Sequence, residues 1–357
     1  MRVAYVIPFD VSRMVGALDR LRDRLWHLKV NGIDIELFVA TGRGTSRAAW
    51  AETFPCPVHL VSGRSSATAT WHLSGAVRDG AFDLAYVRYG LPYPGVIRLA
   101  RSIATVLEIH ADDLRESRHR PWYYFTLAKA AGGHLFSTVR GAVFVDPDLL
   151  GAPRFKRLTG PRTVIPNGIQ LRPDLDYGGP RDRKSGPPRL LLAAGADEPW
   201  QGLDKYLDFA AACPELEFHV AGPKIPLSHA MNVAFHGPLS QTEFEALLAR
   251  VDIGVGNLAL ERVGRRRPSP LKVREYIRHG LPCVIAHDDP DLGDDPQVCQ
   301  LGYGFQVDQS KAQLLVDFAD RATGRTISQS VAQRVRVESK EEQRAAFLHE
   351  CVPDPRC

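Results

Sequence analysis

The feature of this chain that most limits its fold is a regular alternation of short β-branched strands with amphipathic helices over residues 3–165. Residues 3–7 read as a buried strand and 16–30 as a helix. Leu18, Leu21, Leu25 and Leu28 recur there at helical spacing, with Arg20, Arg22, Asp23, Arg24 and Lys29 on the wet side. Asn31-Gly32 stops that helix and 33–40 forms the next strand, a βαβ unit that crosses over right-handedly. Strands at 58–61, 84–87, 104–110, 141–145 and 163–165 follow, interleaved with helices at 67–77, 94–102 and 122–131. Such a series builds a parallel sheet covered by helices on both faces.

Residues 171–188 are dominated by charge, Gly and Pro with no surviving period, and read as a surface linker or an extended connection between domains. A second α/β series then runs through strands at 189–193, 217–221, 233–236, 252–256, 282–286 and 304–307, with helices at 202–212, 242–249 and 271–278. The tail from Thr326 is polar, and 341–351 reads as a terminal helix with Ala345, Phe347, Leu348 and Cys351 as packing positions. The division expected is an N-terminal Rossmann-like domain at 1–170, a C-terminal one at 171–335, and a helix and tail at 336–357 able to return to the first domain. The two Rossmann-like domains would face each other across a cleft.

A chain of 357 residues with 44% apolar composition has enough material for two ordinary cores. Its formal charge of +4 is mild, and the dense basic stripe of a nucleic-acid binder is missing. The six cysteines form no CxxC pair, which argues against a zinc site or disulfide framework and for reduced thiols in a cytoplasmic protein. Residues 1–10 read as a first strand rather than a secretory segment, and no run reaches the 18 or so apolar residues of a membrane span. Peripheral contact with a membrane face stays open, as does the oligomeric state. No His or carboxylate cluster has metal-ligand spacing, so no metal is expected.

Neither a GxGxxG nor a GxxxxGK[ST] motif occurs, which disfavours dinucleotide and P-loop binding. A phosphate cradle of another kind is suggested in the stretch 252–286, where Ser269-Pro270-Leu271-Lys272 reads as a helix start with Ser as a cap, Pro early in the helix and Lys272 facing an anion. Arg265, Arg266 and Arg267 precede it, and Glu275 lies one turn after Leu271. The arginines read equally as a solvated loop, Glu275 as surface charge, and His110, at a strand end, as a packed imidazole.

Several of these stretches together resemble the large retaining group of GT-B glycosyltransferases called family 4. Residues 269–284 are similar to its Glu-bearing helix and Gly-x-Pro-Val turn, Pro166-Asn167-Gly168-Ile169 to its VIPNG segment, and Trp200-Gln201-Gly202-Leu203-Asp204 to its WKG segment. Glu108-Ile109-His110-Ala111-Asp112 is similar to its E-x-H-x-D region, and Phe218-His219-Val220-Ala221-Gly222 to its strand ending in Gly. The resemblance implies a GT-B fold and a nucleoside diphosphate sugar donor, with no cofactor beyond it and a small molecule or glycan as acceptor. It further implies that Glu275 holds the ribose, that Ser269, Pro270 and Leu271 meet the diphosphate, and that Gly16, Gly195, Gln201 and Gly222 line the donor site. His110 would lie near the transferred sugar, and Asp10, Arg88, Tyr89 and Asp112 would be acceptor candidates. The stretch from Arg118 to Tyr123 is a further candidate, equally readable as a surface patch.

The chain departs from the family at three places. Arg267 stands where a donor-contacting Glu is usual, and Ala196 and Gln201 stand where an Arg and a Lys normally neutralise the leaving diphosphate. Two lost cations would cost roughly 3 kcal/mol or more of transition-state stabilisation if nothing replaced them. Among Lys272, Arg265, Arg266 and Arg267, at least one is expected to take over the diphosphate. A pseudo-glycosyltransferase coupling a cyclitol-like donor, or a non-catalytic homologue that binds a sugar nucleotide or a partner transferase, are the competing readings.

Overall fold

Continuous runs of buried, largely apolar residues build the central strands of the first sheet in the computed structural model, which describes all residues except 12–14, 43–48, 115–121, 183–184, 195–197, 223–230 and 353–357. The first unit, Met1–Pro166 with Val337–Cys357, carries β1 (Arg2–Ile7), α1 (Val15–Val30), β2 (Asp34–Thr41), β3 (Val58–Ser62), α2 (Ser66–Asp79) and β4 (Leu84–Tyr89). After these come α3 (Pro94–Ser102), β5 (Thr105–Ile109), α4 (Trp122–Thr138), β6 (Gly141–Phe144), the short α5 (Pro147–Leu150) and β7 (Arg162–Val164). All pairs are parallel and the order is β3-β2-β1-β4-β5-β6-β7. The order therefore reverses between β1 and β4, where open α/β sheets form a crevice at the C-terminal ends of their strands.

One face of this sheet packs on α2, α3 and α4 through Leu73, Val96, Leu99 and Phe136. The other packs on α1 through Leu18, Leu21, Leu25 and Leu28, the four leucines whose spacing marked the helix in the sequence. A last helix, α11 (Val337–Cys351), joins that second face with Ala345, Phe347, Leu348 and Cys351.

The second unit, Asn167–Arg336, contains β8 (Arg189–Ala193), α6 (Leu203–Ala212), β9 (Glu217–Ala221), β10 (Val233–Gly237), α7 (Gln241–Leu248), β11 (Ile253–Val255) and α8 (Leu271–Arg278). It is completed by β12 (Cys283–Ile285), β13 (Val298–Gln300), α9 (Gln309–Ala322) and α10 (Gln329–Arg334). The sheet is again parallel, in the order β10-β9-β8-β11-β12-β13.

Two sequence expectations are corrected here. Residues 304–307 are not a strand: Val298–Gln300 takes that place beside β12, in register with Cys283 to Ile285. Gly302 (φ +91°) and Gly304 (φ +73°) then turn the chain through left-handed backbone, and Phe305 enters the core instead. Residues 171–188 do not behave as a free linker. The Gly178 amide donates to Ile327 O at 2.8 Å, the Tyr177 hydroxyl to Arg278 O at 2.9 Å, and Arg181 to Leu248 O at 3.0 Å. The segment is strapped across the second unit by polar contacts that its composition does not advertise.

Candidate functional site

Helix α8 sits against its sheet because two glycines of the β11 region leave room for it. A Cβ on Gly254 would stand 2.2 Å from the Tyr276 ring, and one on Gly256 3.0 Å from a Val273 methyl. Tyr276 is buried and its hydroxyl accepts the Ala193 amide at 2.8 Å, pinning the helix to the end of β8. Ser269 is not the cap expected of it. Pro270 occupies the N-cap with no side-chain cap hydrogen bond, because the Ser269 hydroxyl is taken by Asn167, whose amide donates to it at 3.0 Å and whose Nδ2 donates at 3.3 Å, and at 2.8 Å to Ser269 O. Among the described residues no side-chain hydrogen bond to the first amides of α8 is seen, the arrangement that suits an anion.

Beneath that start lies a buried ion cluster that sequence reasoning missed. Arg274 has no exposure; it donates to Asp289 at 2.8 and 2.9 Å, to Asp291 at 2.8 Å, and through Nε to Asn167 O at 2.9 Å. One guanidinium thus ties the Pro166-Asn167-Gly168 segment, the start of α8 and the loop after β12 together. Burial pushes the Asp289 carboxyl up, but Arg274 outweighs it and holds the group well below the usual carboxylate range.

Three segments meet beside the start of α8. The Leu258 amide donates to Gln201 O at 3.1 Å and the Ala259 amide to Trp200 O at 3.3 Å. Lys205, buried, donates to Leu258 O, Glu261 and Phe305 O, and Arg262 is paired with Asp204. Into this framework Lys272 projects, its ammonium donating to Gln201 Oε1. Burial lowers the Lys272 pKa to about 7. Lys272 thus places its ammonium against the side chain of residue 201. Asn257, in the same loop, is nine-tenths buried, and its Oδ1 meets no hydrogen-bond donor among the described residues.

Other donor candidates are placed as follows. Glu275 is buried on α8, with Arg278 at 3.4 Å and His279 Nδ1 at 3.7 Å from its carboxylate. Gly222 ends β9 at φ +132°, and a Cβ there would come within 1.6 Å of Ala194 O, so the two strand ends approach as only glycine permits. Arg266 is exposed and pairs with Asp288 at 2.7 Å, and Arg267 is exposed. Gly195 and Ala196 lie outside the described residues.

In the first unit the C-terminal ends of β1, β4 and β5 carry the remaining candidates. Glu108, fully buried, accepts from Tyr5 at 2.5 Å and from Arg24, with Arg344 at 3.5 Å; Glu341 in turn takes Arg24 at 3.2 Å and Arg344 at 2.8 Å. Burial would raise the Glu108 pKa, and Arg24, His110 and Arg344 bring it well below its usual value. His110 follows β5 with Nε2 3.2 Å from Glu108; burial, partly opposed by Glu108, lowers its pKa to about 4, so the ring is neutral at pH 7. Arg88, half-buried on β4, lies in register with Glu108.

Tyr89, offered above as an acceptor contact, is buried with its hydroxyl donating to Asp113 at 2.7 Å; Asp113 is held in turn by both arms of Arg154. Asp112 accepts the Leu114 amide at 3.0 Å, Asp10 is exposed just after β1, and Gly16 lies in the first turn of α1. Residues 118–121 of the basic stretch lie outside the described residues.

Among the described residues no group of three or more His, Cys, Asp or Glu is placed to hold a metal ion, and no helix is long and apolar enough to cross a membrane. A hollow of about 460 Å³ lined by Gly178, Pro180, Gln297, Arg325 and Thr326 lies before the start of β13, at the opposite edge of the sheet from α8's first turn.

No profile of a known protein family matches the chain, and no curated protein is similar to it in sequence. Solved structures are similar over nearly its whole length. HepE of Anabaena, in complex with UDP and glucose, is 16% identical with a TM-score of 0.66, covering 98% of this chain and 100% of its own. The lipopolysaccharide outer core galactosyltransferase WaaB in apo form is 11% identical, with a TM-score of 0.68 and coverages of 98% and 100%. WaaG, a glycosyltransferase involved in lipopolysaccharide biosynthesis, is 14% identical, with a TM-score of 0.58 and coverages of 97% and 99%. Together they establish a GT-B fold of two Rossmann-like domains.

Proposed function

We propose that this chain is a glycosyltransferase that moves a sugar from a nucleoside diphosphate donor to an acceptor hydroxyl or amine with retention of anomeric configuration. The observation that carries the reading is Lys272 bonded to Gln201 beside the uncapped start of α8. A cation and helix amides without a side-chain cap are both suited to the charge of a departing diphosphate. In this reading Glu275 accepts hydrogen bonds from the ribose hydroxyls, and neutral His110 offers its ring to a sugar hydroxyl. The acceptor attacks the anomeric carbon on the face from which the diphosphate leaves. The bond to the diphosphate oxygen breaks as the new glycosidic bond forms, and that oxygen takes the acceptor proton. No protein nucleophile is needed, and Lys272 stabilises the charge left on the leaving group.

Support comes also from the neighbours: HepE is described with UDP and glucose, and WaaB and WaaG are described as glycosyltransferases. The competing reading, a binding protein without catalysis, is favoured by Gln201 standing where the family resemblance leads one to look for Lys. Calorimetric titration with UDP-, GDP-, TDP- and ADP-sugars followed by a donor-hydrolysis assay separates the two. The transferase reading expects binding and slow hydrolysis of at least one donor, both lost in Lys272→Met. Binding with no turnover in any acceptor screen supports the binding protein, and no binding at all ends both. The proposed location is the cytoplasm, including the membrane's inner face.

A further inference from the structure

The sheet of the first unit reverses its order between β1 and β4, and three charged or polar side chains gather at the C-terminal ends of β4 and β5: Arg88, Glu108 and His110. Glu108 belongs to a closed cluster. Two buried carboxylates, Glu108 and Glu341, face two guanidiniums, Arg24 and Arg344, with further hydrogen bonds from Tyr5 to Glu108 and from Arg344 to Tyr86. Its charges balance, so it needs no outside partner.

Arg88 stands beside that cluster and outside it. Strand alternation puts it on the face of Leu84 and Tyr86, the face packed against α1 and α11, and its register partner is Glu108. It is half-buried, yet it makes no hydrogen bond and no ion pair with any described residue. A guanidinium drawn partly out of water with no counter-ion among the described residues is in a costly position, and an anion would relieve it. His110, next along β5, feels this charge, since after burial Arg88 is the main influence disfavouring its protonation. Of the other described charged groups near this edge, Asp113 is held by Arg154, Asp112 takes the Leu114 amide, and Asp10 is exposed.

We infer that this edge of the first unit is an anion subsite, in which Arg88 grips the carboxylate or phosphate of a small-molecule acceptor and His110 lies alongside. A guanidinium fork fits either oxyanion through two parallel N–H donors. The word acceptor rests on the transferase reading above; the anion site itself does not. Under that reading the acceptor class narrows to acidic molecules such as uronates or sugar phosphates.

The test is carried out on the full chain with histidine labelled at Cε1, following the His110 resonance, assigned by its loss in His110→Asn. Glucose 6-phosphate, glucuronate and glucose are titrated at pH 6.5. The inference expects a saturable shift with at least one of the two anions and none with glucose, and the responsive anion tells phosphate from carboxylate recognition. Arg88→Gln should weaken that response at least about tenfold. Fold integrity of the variant is read from the His219 and His236 resonances of the second unit, the His59 and His72 resonances of the first, and the circular dichroism and melting of the full chain. Where Arg88→Gln fails to fold, Arg88→Lys serves, with weaker but saturable binding expected. No response from His110 to either anion, or an equal response in the folded variant, overturns the inference. Titration of the same samples with nucleoside diphosphates reads the donor side separately, so loss of the transferase reading and loss of the anion site are distinguishable.

Discussion

Replacing Arg274 by Met should destabilise the second unit by an amount the structure sets. The side chain has no exposure, and neither does that of Asp289, while Asp291 retains 8%. Removing one partner of a buried ion cluster costs about 3–5 kcal/mol, because the buried carboxylates lose the guanidinium that balances their charge. The lost bond from Nε to Asn167 O adds about 1 kcal/mol. The expected loss at pH 7 is therefore about 4–6 kcal/mol.

Its pH dependence has a definite sign. In the parent protein Asp289 is ionised and held well below its unfolded value by Arg274, so its contribution is present above about pH 4 and fades only as pH falls further. Without Arg274, burial, the largest influence on that carboxyl, is opposed chiefly by His287 and raises it, so the variant's deficit should shrink between pH 7 and pH 4.5. Urea titrations at the two pH values, with peptide-resolved hydrogen exchange across α8 and β12, measure this. Arg274→Met combined with Asp289→Asn and Asp291→Asn should recover most of the loss. A deficit below about 1 kcal/mol, within the range of an ordinary surface change, or one equal at both pH values, would refute the reasoning.

Other outcomes follow from the same structure. Lys272, with its pKa near 7 in the free protein, should take up a proton when a nucleoside diphosphate binds at pH 8, seen as a dependence of calorimetric heat on buffer ionisation enthalpy that Lys272→Met abolishes. Because its folded value lies below the unfolded value of about 10.4, the unfolded chain holds more protons between them, so this group makes stability rise with pH from about 7 to 10; the Met variant should lack that slope in urea titrations. Arg344→Met leaves Glu108 and Glu341 with Arg24 alone and should cost about 3 kcal/mol or more, read as faster exchange of α11 amides than of β8 amides. Gly222→Ala asks for a Cβ 1.6 Å from Ala194 O at φ +132°, and should lower the second unit's unfolding free energy by at least about 2 kcal/mol.

The architecture was legible because burial writes itself into local pattern. Leu18, Leu21, Leu25 and Leu28 announce α1, and the apolar runs at β1, β4 and β8 announce strands buried on both faces. α9 was missed although Ala312, Leu315, Phe318, Ala319 and Ala322 carry the same helical spacing and Asp308 caps its start. A glycine on either side of Tyr303 hid the end of the second sheet, since alternation around Phe305 imitates a strand. The polar interior was not legible at all. Glu108, Arg24 and Arg344 come from three distant stretches, and nothing local distinguishes a guanidinium that will be buried from one on a wet face. The same holds for Ser269, which reads as a cap until Asn167, 102 positions away, takes its hydroxyl.

The most direct test of the account is a crystal structure of the full chain with a bound nucleoside diphosphate. The account predicts the β-phosphate within hydrogen-bond distance of the Leu271 and Lys272 amides and of Lys272 Nζ, with the ribose hydroxyls on Glu275. A diphosphate bound elsewhere, with Lys272 still directed only at Gln201 and Glu275 distant from the ribose, would contradict it.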